Sequence, residues 1–306
     1  MKVTVEVPAS IGNVGPGFDV LGLAVDGLCD TVIMERIDGP TVIDAVKGRD
    51  AELIPRDPEQ NAVTIAAAAL ALAIGVKAHA RVTIARAIPA SGGLGASAAA
   101  SLAGAIGMAA IVGRKATDEQ LLTAALVAEA TVAGRHLDNI APSFFGGLTI
   151  ALGTDPPYAV RVPVAADWWL ALVTPAFKLA TKQARSVLPD SLPRGEWVRQ
   201  MALSAGVVAA FRDGDAALLR ATLHDPFAEP RRAPLIPGFA AVKAAALACG
   251  AMGASISGAG PTVFAVFEDE NRARKGAEAM RAAFGQGATM HVGGIAREGA
   301  RSKIIA

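Results

Sequence analysis

Cysteine is nearly missing from this chain. Cys29 and Cys249 are the two among 306 residues, far apart and outside any CxxC pair. That excludes a disulfide framework, and both read as reduced core thiols of a cytoplasmic protein. Charge is scarce too, at 19% of residues against 52% hydrophobic, the balance of a compact globular chain rather than a disordered one. The formal net charge is +1. The basic excess that holds nucleic acid is therefore absent, and no aromatic residues interleave with basic ones. Met1 to Val7 alternates like a strand without an apolar h-region, so no signal peptide is expected. Ile88 to Gly113 carries no charge, yet its glycines, serines and alanines suit a buried helix better than a membrane span. Asn61 to Val76 is similarly alanine-rich but too short. Internal repeats and low-complexity linkers are missing as well. A soluble protein of two modest domains or one large one is expected, with neither nucleic acid nor membrane as partner.

What is present centres on PASGGLGASAAA, Pro89 to Ala100. A strand-like run, Ala80 to Ile88, leads into it with Val82, Ile84 and Ile88 alternating, and a proline stops that strand. Gly92, Gly93 and Gly95 let backbone N–H groups turn towards an anion that a Cβ would block. Ser97 to Val112 then reads as a helix whose orphan N–H groups and positive dipole end face the same spot. Ser91 and Ser97 add hydroxyls for phosphate or a phosphate-bound metal. Together these features predict a nucleotide triphosphate site; the alternative is a glycine-rich turn that lets a helix pack close to a sheet. A Walker A loop is excluded, because no lysine follows the glycines until Lys115. Gly93, Gly95 and Ala98 satisfy a loose GxGxxA, with Asp118 and Glu119 where a ribose-binding acid would sit. The dinucleotide reading is weak, because Asp118 to Ala133 reads as a second helix instead of the next strand.

Along the rest of the chain, Lys2 to Pro8 is a strand of β-branched residues. In Ala9 to Asp26, Gly12, Gly15, Pro16 and Gly17 predict irregular backbone. Asn13 and Asp19 make that loop either a polar pocket wall or an Asx-capped turn. Cys29 to Ile37 and Thr41 to Val46 read as paired strands around an Asp38-Gly39-Pro40 turn. Asn61 caps a helix to Ile74, and Thr117 with Gln120 forms a capping box for the helix from Asp118. Between a helix and a strand, His136, Asp138 and Asn139 crowd a short polar turn. A metal fits poorly there without a second histidine or cysteine at ligand spacing, which leaves substrate binding or a structural turn. Trp168 to Thr174 is an apolar strand, and Ala180 to Pro189 is a turn or short helix carrying Lys182 and Arg185. Two helices, Gly195 to Ala210 and Asp213 to Leu223, lead to His224 to Phe239, a four-proline ordered loop with Arg231 and Arg232. Arginine forks suit carboxylates, so Arg185 and one of that pair are candidates for an acidic substrate, the other being solvated surface. Pro237 to Cys249 is a helix, Ser255 to Phe267 a tight glycine turn and a strong strand, and Asn271 to Phe284 an amphipathic helix. Ala288 to Gly293 reads as the final strand. The pattern breaks at Asp155-Pro156-Pro157, which puts a domain boundary near residues 153–165.

Three motifs in this order, VPASIGNVGPGFD, PASGGLGASAA and SGAGPTVF, resemble those of the GHMP kinase superfamily over nearly the whole chain. Within it, VLGLAVD after the first motif, HLDNIAPSFFGG, TKQARSVLP and EPRRAPLIPG are similar to the signatures of the homoserine kinase family. The resemblance implies an α+β, two-domain GHMP kinase fold. Residues 1–160 would form an N-terminal domain like domain 2 of ribosomal protein S5, and residues 161–306 a ferredoxin-like C-terminal domain. It implies phosphorylation of the side-chain hydroxyl of L-homoserine by ATP in threonine biosynthesis, with Mg²⁺, by a homodimer. Carried over by position, Pro89, Ala90, Ser91, Gly92, Gly93, Leu94, Gly95, Ala96, Ser97, Ala98 and Ala99 wrap the ATP phosphates, and Asn61 lies near the adenine. Ser97 and Glu129 match the Mg²⁺ positions. Asn13, Asp19, His136 and Asp138 match the homoserine pocket, Arg185 and Arg232 the arginines on its carboxylate, and Gly258 and Gly260 the residues that close it. Asn139 stands where mevalonate kinase and galactokinase have an aspartate proposed as base. On this resemblance the catalytic positions are Asn13, Asp19 and Asn139, with Asn13 and Asp19 orienting the hydroxyl and the proton passing to the γ-phosphate. The chain departs from the pattern at Ala96, the first serine of GLGSS, and at Gln183, where glutamate is common. The Glu129 to His136 spacing is also one residue shorter than expected. Two other readings stay open: a kinase of this fold for another small hydroxy acid, and a catalytically silent ligand-binding regulator.

Overall fold

The computed structural model describes residues 1–305. Alternation along β1 (Lys2–Gly12) founds the first sheet: Val3, Val5 and Val7 are buried while Lys2 and Glu6 face solvent. The strand runs on past Pro8 through a register shift between Pro8 and Ser10, and pairs with β2 (Leu21–Ile37) as far as Gly12. A bulge beside a proline lets the ladder continue, so the irregular backbone expected from Ala9 to Asp26 shrinks to residues 13–20.

β3 (Val42–Gly48) is not the hairpin partner of β2. β4 (His79–Arg86) lies between them, antiparallel to β2 and parallel to β3. The Asp38-Gly39-Pro40 turn reverses the chain, but α1 (Ala62–Ala73) then carries it back over the sheet, and a parallel pair needs such a crossover. α2 (Ala96–Val112) packs against β1, β2, α1 and α3 (Asp118–Val132) and is buried on most sides. A Cβ on Gly104 would sit 1.9 Å from the Val63 carbonyl oxygen, so α1 and α2 meet at backbone distance. Burial inside the domain explains the charge-free run, and among the described residues no helix is long and apolar enough to cross a membrane. After α4 (Ile140–Phe145), β5 (Leu148–Thr154) and β6 (Pro157–Val162) form a hairpin whose turn is the Asp155-Pro156-Pro157 break. β5 joins the first sheet by pairing with β2.

The second sheet opens with β7 (Trp169–Thr174). Five helices follow: α5 (Thr181–Ser186), α6 (Arg194–Asp213), α7 (Ala216–Thr222), α8 (Ala228–Arg232) and α9 (Phe239–Ala248). α8 forms inside the proline-rich segment expected as loop, with Pro230 in its first turn, where the missing N–H has no helical acceptor. Next come β8 (Gly253–Ile256), β9 (Val263–Phe267), α10 (Glu270–Phe284) and β10 (Thr289–Gly294). The spatial order β10-β7-β9-β8 is 4-1-3-2 in the sheet's own numbering, with every pair antiparallel. That is the expected ferredoxin-like arrangement. β10 is not the last strand: β11 (Arg301–Ile305) returns to the first sheet and pairs with β1.

β9 is buried on both faces. On one side Val263, Ala265 and Phe267 pack with Val242, Ala246 and Met280 of α9 and α10. On the other, Phe264 and Val266 join Phe211 and Leu219 of α6 and α7 in a cluster continuous with the core of the first sheet. Shared packing thus sets one sheet against the other, and the loops at their junction line a cleft.

Candidate active site: a cleft with two ends

The cleft has a volume of about 750 Å³ and draws its walls from both sheets. One end is the turn from β4 into α2, the glycine loop expected from sequence to hold phosphate. Gly93 and Gly95 both hold positive φ, at 79° and 68°. A Cβ on Gly93 would lie 2.3 Å from the Ser257 carbonyl oxygen, and one on Gly95 would lie 2.2 Å from Ser10 Oγ. Glycine is required there because three chain segments meet. The Ser257 hydroxyl donates to the Gly93 carbonyl at 2.6 Å, the Thr262 N–H to that of Gly92, and the Ser10 N–H to that of Leu94. Two carboxylates from outside the loop fasten its ascending limb. Asp30 accepts the N–H groups of Ala87 and Ile88 at 2.8 and 2.9 Å, and Asp50 accepts that of Ala90 at 2.9 Å. Asp30 is neutralised by Arg86, with Nε and Oδ2 2.8 Å apart as an ion pair though too poorly aligned for a hydrogen bond. Burial outweighs that arginine and raises the Asp30 carboxyl above its usual range.

Beside the loop, Ser97 Oγ donates to Glu129 Oε1 at 2.8 Å, while Glu129 Oε2 is buried with no partner. Burial pushes the Glu129 carboxyl to about 7; the Ser97 bond opposes the rise and the Asp138 charge adds to it.

The other end, where the sequence placed the substrate pocket, is a cluster of charges. The guanidinium of Arg185 grips Asp19 with two bonds of 3.0 and 2.9 Å, and His136 Nδ1 lies 3.7 Å from the same carboxylate. Arg232, almost wholly buried, donates Nε to the Ala184 carbonyl and Nη1 to that of Gly258. Both guanidiniums sit over the Phe18 ring, 5.5 and 5.3 Å from its centroid, so they converge on one spot. Asn13 ties three pieces together: its N–H donates to Asp138 Oδ2, its Nδ2 to the Gly258 carbonyl, and its Oδ1 accepts the Asp19 N–H. Burial pushes the Asp138 carboxyl to about 7, and the charge of Asp19 adds to the rise. Burial lowers His136, with Asp19 opposing.

Among the described residues, five non-glycine positions have positive φ: Asn13, Val14, Asp19, Asp50 and Ser91. Asn13, Val14 and Asp19 belong to the loop after β1, Ser91 to the glycine loop, and Asp50 braces that loop through the Ala90 N–H, which is where strain gathers when a site over-determines its backbone.

Most of the residues singled out from sequence line this one cleft: Asn13, Asp19, Asn61, His136, Asp138, Asn139, Arg185, Arg232, Gly258, Glu129, and the loop residues Ala90–Gly93 and Gly95–Ser97. Pro89, Leu94, Ala98, Ala99 and Gly260 are buried behind the wall. Asn61 lines the cleft, but both halves of its amide serve structure. Its Nδ2 donates to the Pro55 carbonyl and its Oδ1 caps α1 at the Val63 N–H. The Asn139 amide is likewise engaged, with Ser10 and Asp138. Arg86, Thr181 and Lys182 line the cleft without having been assigned from sequence. A signal existed for Thr181 and Lys182, which stand just ahead of Arg185; none existed for Asp30 and Asp50, whose partners lie far along the chain.

Models of two families match the chain: GHMP kinases N terminal domain over residues 61–147 and GHMP kinases C terminal over residues 207–286. A homoserine kinase of Xanthomonas campestris is 42% identical over 279 residues, 90% of this chain and 85% of that protein. One of Arabidopsis thaliana is 40% identical over 293 residues, 93% of this chain and 79% of that protein. The crystal structure of homoserine kinase from Cytophaga hutchinsonii superposes with a TM-score of 0.93 at 34% identity, covering 99% of this chain and 97% of that one.

Proposed function

This chain belongs to the homoserine kinase family of the GHMP kinases, and we propose that it phosphorylates the side-chain hydroxyl of L-homoserine with ATP, a step of threonine biosynthesis. The observation that carries the reading is the convergence of the three sequence motifs on one cleft, with a glycine loop at one end and paired arginines at the other.

In this reading the free N–H groups of Ser91 to Ser97 and the start of α2 receive the ATP phosphates. Arg185 and Arg232 hold the amino acid's carboxylate, which takes over from Asp19 on Arg185. Asp138, together with the released Asp19, faces the substrate's ammonium, and Asn13 and Asp19 orient its hydroxyl. That hydroxyl oxygen bonds to the γ-phosphorus as the bond to the ADP oxygen breaks. Asn139 has no free basic atom, so the hydroxyl proton passes to a γ-phosphate oxygen. Phosphoryl transfer through a loose transition state needs positioning and charge neutralisation more than a strong base.

Ser97 and Glu129 suit Mg²⁺, because the buried Oε2 of Glu129 is an orphaned acceptor and one carboxylate plus substrate phosphates is a usual Mg²⁺ set. The ion would neutralise charge on the transferring phosphoryl group. Two free cysteines fit a reducing cytoplasm, and the reading includes a homodimer, checked by light scattering.

The test of function is coupled ADP release from Mg²⁺-ATP with L-homoserine, L-serine, L-threonine, mevalonate and galactose. Turnover on L-homoserine alone is expected. Turnover only on another alcohol would retain the phosphate end and overturn the acceptor assignments.

A further inference from the structure

The cations around the cleft differ in what already occupies them. Arg86 is paired with Asp30 and donates to the Ile88 carbonyl. Arg185 is held bidentately by Asp19, Arg232 donates Nε and Nη1 to two carbonyls, and both are assigned above to the acceptor's carboxylate. Lys182 also lines the cleft, is exposed, and among the described residues has no ion pair or hydrogen bond. The phosphate loop supplies no cation of its own, since no charged residue occurs between Arg86 and Arg114. A loop that cradles a triphosphate elsewhere does so with a lysine.

Lys182 is fastened in place on both sides. Four residues earlier, Lys178 Nζ lies 3.0 Å from Asp50 Oδ1, and the other oxygen of that carboxylate takes the Ala90 N–H. Three residues later, Arg185 is clamped to Asp19. The segment from 178 to 185 is therefore pinned at one end to the start of the phosphate loop and at the other to the acceptor cluster. Lys182 stands between the two anchors in the chain and lines the cleft they bound.

The geometry points to Lys182 as the cation that pairs with the γ-phosphoryl oxygens of ATP, supplied by the second sheet's side of the cleft to a loop that has no lysine. The inference rests on the ATP-dependent kinase reading above. The ammonium acts as a compact point charge and gives up no proton. Its attraction to the equatorial oxygens persists as the phosphoryl group moves from ADP to the acceptor hydroxyl.

The test compares Lys182→Met, Lys182→Arg and the surface control Lys115→Met in the full chain. Calorimetry would measure affinity for ADP and for a non-hydrolysable ATP analogue, alongside kcat and KM. Lys182→Met should lose about 10²–10³-fold in kcat, the usual cost of one charge-stabilising donor. It should weaken the triphosphate analogue about tenfold more than ADP, the worth of one charge-assisted bond. Lys182→Arg should restore most of that difference, and Lys115→Met should stay within about twofold of the parent on every measure. Equal effects on both nucleotides, or none, would overturn the assignment, and if Lys182→Met binds neither nucleotide, the arginine variant decides by the same comparison. A parent protein that binds ATP yet turns over no homoserine would overturn the kinase reading instead, while the binding comparison still decides Lys182.

Discussion

At the end of the cleft proposed for phosphate the wall is largely main chain. Gly92 to Ala96 carry no polar side chain; Ser257 bonds the Gly93 carbonyl, and Asp30 and Asp50, from other elements, fasten the limb just before it at Ala87, Ile88 and Ala90. At the end proposed for the acceptor the wall is side-chain charge: Asp19, His136, Asp138, Arg185 and Arg232 crowd together, partly or fully buried. Backbone amides recognise any phosphate of the right shape and are spoiled by an added Cβ. Charged side chains select one acceptor and are spoiled by losing a charge. Apart from the charge proposed for Lys182, the two ends should therefore fail under opposite kinds of substitution and on different kinetic constants.

Gly93→Ala is the strongest test of the main-chain end. With φ at 79° and a carbonyl 2.3 Å from the new Cβ, the loop must shift. A loss of about 10³-fold or more in kcat/KM for ATP is expected, since a misplacement of about 1 Å alone costs about 10²-fold. Initial rates at varied ATP would show it, and a near-normal enzyme would refute the close-packed loop.

At the other end, Arg232→Met should cost about 10²-fold in kcat/KM for homoserine, in line with about 2–3 kcal/mol for a charge-assisted pair. The KM for ATP should stay within about threefold of the parent value, and an equal loss on both substrates would erase the division between the ends. Asp19→Asn should lower kcat about 10–30-fold while ADP affinity measured by calorimetry stays nearly intact, as expected of a group that acts in positioning the hydroxyl. Lost nucleotide affinity would count against that role.

Asp138 supplies a pH dependence. Its carboxyl is raised from 3.8 to about 7, mainly by burial. Below that value it is protonated and cannot accept an ammonium, so kcat/KM for homoserine should fall up to about tenfold per pH unit, and Asp138→Asn should flatten the profile. The stability sign is the reverse. A carboxyl raised in the folded state favours folding most below its unfolded value, and that contribution is lost as pH rises through about 7. Asp138→Asn should then raise Tm over the parent by a few degrees more at about pH 8 than at about pH 5, read by calorimetry. The smallest effect belongs to Asp50→Asn, which loosens a partly exposed strap on Lys178 and Ala90. A rise of about two- to fivefold in the KM for ATP is expected, matching the small worth of exposed ion pairs.

The same division explains what the sequence made legible. The phosphate turn, the capping box on Thr117 and Gln120, and the helix cap at Asn61 are local features, and all three stand in the structure as read. β3 was misread because a turn signal at Asp38-Gly39-Pro40 announces a reversal without naming the neighbour, and β4 arrives from beyond a helix to fill the place. β11 escaped because Arg301 to Lys303 are exposed on an edge strand and show no core-facing alternation. Within the site, individual candidates such as Arg185 and Asp19 were visible, but their bidentate pairing 166 residues apart was not. Nor were the pegs Asp30 and Asp50, which look like ordinary acidic residues until the fold brings loop amides to them.

The central claim is that one cleft cradles the phosphates in main-chain amides and selects the acceptor with side-chain charge. A crystal structure with L-homoserine and a non-hydrolysable ATP analogue bound tests it most directly. The account predicts the γ-phosphate against the Gly93 to Ser97 amides, the amino acid's carboxylate on Arg185 and Arg232, and Asp19 released from Arg185. Homoserine bound elsewhere, or an Asp19–Arg185 pair unbroken in the ternary complex, would contradict it.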